Sequence, residues 1–464
     1  MSTGTLLRAA WAVLFTAALG HAEGPAPTAT PARELPPVVV ISLDTLRADH
    51  VGAYGYDRDT TPNIDAFAKD AVLFESAFTP GGGTLPAHMT LLTGLAPEVH
   101  GVTAQSETRL DPGRETLAEI LQKAGYRTAG FTGAGYVRAR WGFDQGFDVF
   151  DDAGRGFEQI LPKATAWLDS GKEPPFLFLH TLDIHSDWDR LPYDAPLPYR
   201  DRFVSEDAPD SFDGCRDERC ASKLLAWLNQ QSRKGKIDLK EYFTPEEVRY
   251  LIDLYDGGVA YTDARFGELL DELKKRGLYD EAIIVVVSDH GEEFLEHGLL
   301  LHEQIYDEVV RVPIMIKLPG GRHGGRRVSA LVGLADVMPT ALDAAGLAAT
   351  SAVRGGSLLP VIEGNAEGRA FVHVWGIPEK LRAADWSLVR HEDGTFELYH
   401  LRRDPGETKN VAESHPGMTQ ALSRQLDSIR ASLATSRQAS KAPKKVDLPP
   451  EVVDQLKALG YLQD

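Results

Sequence analysis

Cysteine is almost missing from this chain. Cys215 and Cys220, five apart in the polar segment GCRDERCAS, are the only two among 464 residues. That is too few for a disulfide scaffold or a structural zinc site; one small disulfide loop is the expectation they leave in an oxidising compartment. Positive charge is also short. Lys and Arg number 49 against 68 Asp and Glu, a net charge of -19, with no basic block and no interleaving of basic and aromatic residues. This excludes the electrostatic footprint of a nucleic-acid binder. The apolar run Ala9 to Leu19 falls short of the roughly 20 residues that cross a bilayer, so no permanent membrane anchor is expected.

What is present is organised. Arg8, that apolar run, and small residues at Gly20 and Ala22 read as a secretory signal over 1–22, which makes the protein exported, to the periplasm or beyond the cell. Residues 23–37 are rich in Pro, Ala and Thr and read as a flexible leader. From Val38 onward, apolar runs alternate with amphipathic segments, the order of an α/β protein. VVVISL (38–43), FLFLHTLD (176–183) and AIIVVVSDH (282–290) are β-branched or apolar strands that end in ionisable residues. TPNIDAFAKDAVLF (61–74) and 255–277 have helical spacing, and 116–133 reads as a helix running into a strand. Parallel strands of this kind deliver their C-terminal residues to one edge, where α/β proteins bind ligands. The catalytic domain is placed at 38–346. A smaller α+β subdomain with an antiparallel sheet and a helix over 415–434 occupies 347–434, and 435–464 reads as a linker with a short terminal helix.

Three motifs carry candidate chemistry, each with a plainer reading beside it. Asp44 and Thr45 end the first strand; a carboxylate there also suits a helix cap. Asp289 and His290 end the most apolar strand and precede Gly291, which permits the chain to turn so that both reach one metal ion. GGGTLPAHMTLLTG (81–94) sets the Thr84 hydroxyl and free N–H groups at a helix N-terminus, a place that favours anions, although threonine also caps turns there. A threonine hydroxyl is a weak nucleophile at neutral pH, and a divalent metal on its oxygen is one remedy. A bound cation would also reverse the acidic field locally and admit a small anionic ester substrate. His180, Asp183 and His185 form H-x-x-D-x-H at a strand end, with His297 and His302 further on.

These residues stand in blocks that resemble the sulfatase family of the alkaline phosphatase superfamily. The stretch LDTLRADHVGAYGYDRDTTPNIDAFAKDAVLFESAFTPGGGTLPAHMTLLTG, then HTLDIHSD, VVVSDHGEEFLEHG and ELYHLRRDPGETKNVAE, follow the family order from about 38 to 412. The resemblance implies a mixed sheet sandwiched by helices. It makes Asp44, Asp289 and His290 metal ligands, puts Thr84 in the slot of the family's Cys or Ser nucleophile, and gives His185 and His302 contact with the ester anion or its leaving oxygen. Pro86 matches the C/S-x-P-S-R motif, whereas Ala87 and His88 replace Ser and Arg, which leaves His88 as a substrate contact. Oxidised threonine would be a ketone rather than the aldehyde of formylglycine, so an unmodified Thr84 acting on phosphate or phosphonate esters is the leading expectation. Sulfate monoesters and a binding protein without catalysis are its rivals. Thr45 in place of a second Asp, and His290 in place of Asn, shift the expected ion from calcium, which remains possible, toward zinc or manganese, as in the similar single-metal sites of lipoteichoic acid synthases. A second metal on Asp183, His185 and His302 is the less favoured arrangement.

Overall fold

A computed structural model describes residues 35–103, 108–133, 135–186, 192–205, 220–350, 353–438 and 444–445. The signal segment 1–22, the leader up to residue 34, the Cys215–Cys220 pairing and the terminal helix lie outside the described residues.

Eight strands form the main sheet: β1 (Val38–Leu43), β2 (Val72–Phe78), β3 (Arg127–Thr132), β4 (Val149–Asp151), β5 (Pro175–Thr181), β6 (Ile283–Val287), β7 (Ile314–Lys317) and β8 (Arg327–Gly333). Their spatial order is β8-β2-β7-β6-β1-β5-β3-β4. β7 runs antiparallel to both of its neighbours and every other pairing is parallel. β1 lies between β5 and β6, so the C-terminal ends of these three strands meet at the middle of one edge.

Side chains alternate across the pleat and build two cores. Val39, Ile41, Leu43, Leu177, Leu179, Ile284 and Val286 pack on one face with the long helix Pro245–Lys275. Val38, Val40, Phe176, Phe178, Val285 and Val287 face the other, against the helix Thr84–Thr93. Burial on both faces is why these strands read as continuous apolar runs. The Pro245–Lys275 helix begins ten residues before the expected 255. Thr244 and Glu247 close a reciprocal capping box there, with Pro245 as the first helical residue.

The helical reading of 61–74 holds only for Pro62–Phe67; Val72–Phe78 is strand β2. Its apolar residues satisfy either period, and pairing on both edges, with β7 and β8, selects the strand. A second sheet, β9 (Phe371–Val374), β10 (Glu379–Ala383), β11 (Trp386–Arg390) and β12 (Phe396–His400), is an antiparallel meander. The helix Pro416–Gln438 places Leu422 and Leu426 on its Leu381, Leu388 and Leu398. The architecture is the mixed sheet with a smaller antiparallel subdomain expected from sequence.

Candidate active site

Asp44 follows β1 directly and is fully buried. Its Oδ2 accepts a hydrogen bond from His180 Nε2 at 2.9 Å, while Oδ1 is buried without a hydrogen-bond partner. Asp289 lies two residues past β6. Its Oδ1 accepts the backbone N–H groups of Thr45 (3.2 Å) and His290 (3.0 Å), and its Oδ2 is likewise buried with no hydrogen bond. Thr45 adopts φ +60, a strained left-handed geometry for a β-branched residue, which turns its N–H onto Asp289. Tyr255 holds this turn by donating to the Thr45 carbonyl at 2.7 Å and accepting from the Arg47 N–H at 2.9 Å.

His290 completes the group. Its Nδ1–H donates to the Gly291 carbonyl at 3.0 Å, so in the neutral ring the Nε2 lone pair faces inward, 3.3 Å from Asp289 Oδ2 and 3.9 Å from Asp44 Oδ1. Gly291 serves differently from the expected flexible turn. A Cβ there would stand 2.0 Å from the Glu308 carbonyl oxygen, and the Gly291 N–H donates to Val309 at 2.7 Å. The residue is needed for close backbone approach.

Asp44, Asp289 and His290 offer one ligand atom each, all within 4.8 Å of one another, the one such group among the described residues. Burial first, and the Asp289 charge second, push the Asp44 carboxyl well above its ordinary range. For Asp289 burial acts in the same sense, but His290, His88, His180 and the Thr45 N–H outweigh it and hold the carboxyl below its ordinary range. Two facing carboxylate oxygens without hydrogen bonds, joined by an imidazole lone pair, form a donor set that fits a divalent cation.

Thr84 opens the helix Thr84–Thr93, with Gly83 as its cap in extended conformation. Its Oγ1 stands 3.2 Å from His290 Nε2, so the hydroxyl points into the same group of donors. Gly82 lets the preceding loop pass the Gln304 carbonyl, which a Cβ would approach to 2.9 Å. His88, one turn along, is fully buried. Its Nδ1 donates to the Thr84 carbonyl at 2.8 Å and its Nε2 accepts from Ser42 Oγ at 2.9 Å. Both ring nitrogens are thus engaged inside the protein, and burial takes the imidazole down to about 3. A direct substrate contact would cost His88 one of these bonds.

His185 and His302 come together, with ring centroids 5.1 Å apart, and His302 lies 4.4 Å from His290. Burial and then the neighbouring His302 depress His185 well below its ordinary value. Burial opposes the charge on His302, but Glu292 outweighs it and raises that ring. Glu292, nearly inaccessible, reaches His302 Nδ1 at 3.2 Å and accepts from the Tyr193 hydroxyl at 2.9 Å. Sequence reasoning assigned no role to Glu292 or Ser42; the signal for Glu292 was its place in SDHGEE, directly after the ligand pair.

Asp183 does not join the histidines. Its carboxylate accepts from the Phe157 N–H at 2.8 Å and from the Thr181 hydroxyl, so it secures the start of the helix Phe157–Leu168. The alternative second metal set of Asp183, His185 and His302 is therefore not assembled among the described residues. His297 also lies apart, stacked on Tyr306 at 3.5 Å and bound to Glu308 at 2.5 Å.

The chain is similar to known proteins. The family described as Sulfatase matches residues 36–347, and the C-terminal family described as N-sulphoglucosamine sulphohydrolase matches 295–432. Arylsulfatase K of Rattus norvegicus is 27% identical over 450 residues, covering 85% of this chain and 78% of the relative. An N-acetylglucosamine-6-O-sulfatase of Bacteroides thetaiotaomicron is 24% identical, covering 81% and 82%. In fold, the chain is similar to the crystal structure of the phosphonate monoester hydrolase of Agrobacterium radiobacter, with a TM-score of 0.69, 23% identity, and coverage of 86% and 96%.

Proposed function

Because the chain belongs to the sulfatase family, whose relatives are ester hydrolases, we propose that it hydrolyses phosphate or phosphonate esters with Thr84 as an unmodified nucleophile in a metal-assisted site. The carrying observation is the convergence of the Thr84 hydroxyl on the Asp44, Asp289 and His290 donors. Asp44, Asp289, His290 and Thr84 would hold a divalent ion, zinc or manganese before calcium, and when bound it supplies Lewis-acid charge that lowers the pKa of a hydroxyl.

The chain's own groups then divide the work. Thr84, at the helix start with its Oγ1 turned toward His290, presents its oxygen to the phosphorus, and the helix N-terminus favours the anionic oxygens of the ester. Thr84 gives its hydroxyl proton to water as its oxygen bonds to phosphorus and the bond to the leaving oxygen breaks; His302, the ring that Glu292 raises, protonates that oxygen, and His185 beside it contacts the ester anion. Hydrolysis of the phosphothreonine by water restores the enzyme. His88 and Ser42 fix the Thr84 backbone from behind.

What supports phosphorus over sulfur is the residue itself: a secondary alcohol cannot become the aldehyde expected of a modified family nucleophile. The second reading, sulfate monoester hydrolysis, is favoured by the names of the relatives, arylsulfatase K and N-acetylglucosamine-6-O-sulfatase. A parallel assay of aryl sulfate, phosphate monoester, phosphodiester and phosphonate monoester decides between them. Dominant sulfate turnover would overturn the first reading, and no turnover of any ester would overturn both. No helix among the described residues is long and apolar enough to cross a membrane. Export is the inference from residues 1–22, checked by the N-terminus of the mature protein.

A further inference from the structure

His180 is out of place for a core residue. It continues the Phe176 and Phe178 face of β5 and is completely inaccessible. Pairing puts it beside Ser42 on β1 and Thr132 on β3, and its ring packs edge-on against His88 at 4.6 Å. An apolar side chain would fill this position without desolvating a polar ring. The imidazole instead leaves Nδ1 buried with no hydrogen bond and makes its bond through Nε2, to Asp44 Oδ2 at 2.9 Å. With a cation at the site Asp44 would be ionised and only accept, so Nε2 would then carry the proton.

Resting on the metal site of the previous section, we propose that His180 is a positioning residue that restricts Asp44 to one ligand oxygen and thereby sets which ion the site prefers. With Oδ2 held by His180, Asp44 turns only Oδ1 toward Asp289 and His290. Asp289 is restricted in the same way, since the Thr45 and His290 N–H groups occupy its Oδ1. Each carboxylate therefore contributes one oxygen. With His290 Nε2 and Thr84 Oγ1 the protein offers four donors, one of them nitrogen, the count and type that suit zinc. Calcium takes six to eight oxygens and gains from two-oxygen carboxylates. Removing the His180 hydrogen bond frees the second Asp44 oxygen, which weakens zinc binding and narrows discrimination against calcium.

Two near-isosteric replacements isolate the bond: His180→Gln keeps an N–H donor and His180→Met removes it. Zinc and calcium dissociation constants are measured on the full chain by chelator competition without substrate, alongside thermal melting to verify folding. The Met variant is expected to bind zinc about 10–100-fold more weakly than wild type, with a smaller zinc-to-calcium ratio, and the Gln variant to stay within about threefold. Equal zinc affinity in the Met and Gln variants would overturn the assignment. If the Met variant does not fold, a Gln variant that binds zinc at least about tenfold worse than wild type overturns it instead. Wild-type protein that binds neither ion would sink this inference together with the metal site beneath it, whereas the outcome of the ester assay leaves it untouched.

Discussion

Two of the buried charge clusters among the described residues are built in opposite ways. Where the C-terminal sheet meets the segment around Asp307, Asp307 and Glu407 are matched by the protein's own cations. Lys380 Nζ, wholly buried, lies 2.7 Å from Asp307 and 2.8 Å from Glu407, and Arg382 Nε reaches the other Asp307 oxygen at 3.2 Å. At the strand ends, Asp44 and Asp289 face each other with imidazoles and backbone N–H groups nearby, and no Lys or Arg pairs with either among the described residues. A cluster that serves structure carries its counter-charge in the sequence. One proposed to serve chemistry leaves the counter-charge to be supplied from outside.

The comparison can be broken by substitution. Thr84→Ala or Asp289→Ala is expected to lower kcat at least about 10³-fold, with the melting temperature of Thr84→Ala staying near wild type; unchanged turnover of the preferred ester would remove the site from the mechanism. In the other cluster, Lys380→Met strands Asp307 and Glu407 in the interior. Denaturant titration should show a loss of about 3–5 kcal/mol, with turnover affected only through the folded fraction. Asp44→Asn in metal-free protein relieves a pair of facing carboxylates and should raise stability by about 1 kcal/mol. Added zinc should reverse that ranking by stabilising only the wild type.

The smallest expected effect is a pH slope. Burial alone would raise the Glu379 carboxyl, but the hydrogen bonds and charges of His373 and Arg390 outweigh it and bring it from 4.5 down to about 2. A depressed carboxyl contributes stability that is complete above the unfolded value and fades as the pH falls through the folded one. Between about pH 4.5 and 2, wild type should therefore lose about 1 kcal/mol that Glu379→Gln never has, visible as a flatter pH dependence of its melting temperature.

The sequence disclosed the central strands because burial on both faces leaves uninterrupted β-branched runs, and it disclosed Asp44, Asp289 and His290 because they sit where those runs stop. Thr84 was legible from the glycines before it. The roles of His88, His180 and Asp183 were not. A buried histidine that braces a ligand, a carboxylate that caps a helix and a residue that meets substrate look alike until distant segments are brought together; the partners of His180 and Asp183 here are 136 and 26 positions away. β10 went unread for a different reason. Its EKLRA pattern places Lys380 and Arg382 toward buried acids, and the period that marks a strand is there carried by charged side chains.

The position of β1 has a consequence for the order in which the protein can mature. It is the first strand of the sheet in the chain, yet its two neighbours, β5 and β6, begin at residues 175 and 283. The contact between Thr45 and Asp289 spans 244 positions. High sequence separation of this kind slows assembly and delays it until most of the chain is available. The proposed ion-binding group is thus a late product of folding, and loading with metal would report that the central strand has closed on both sides.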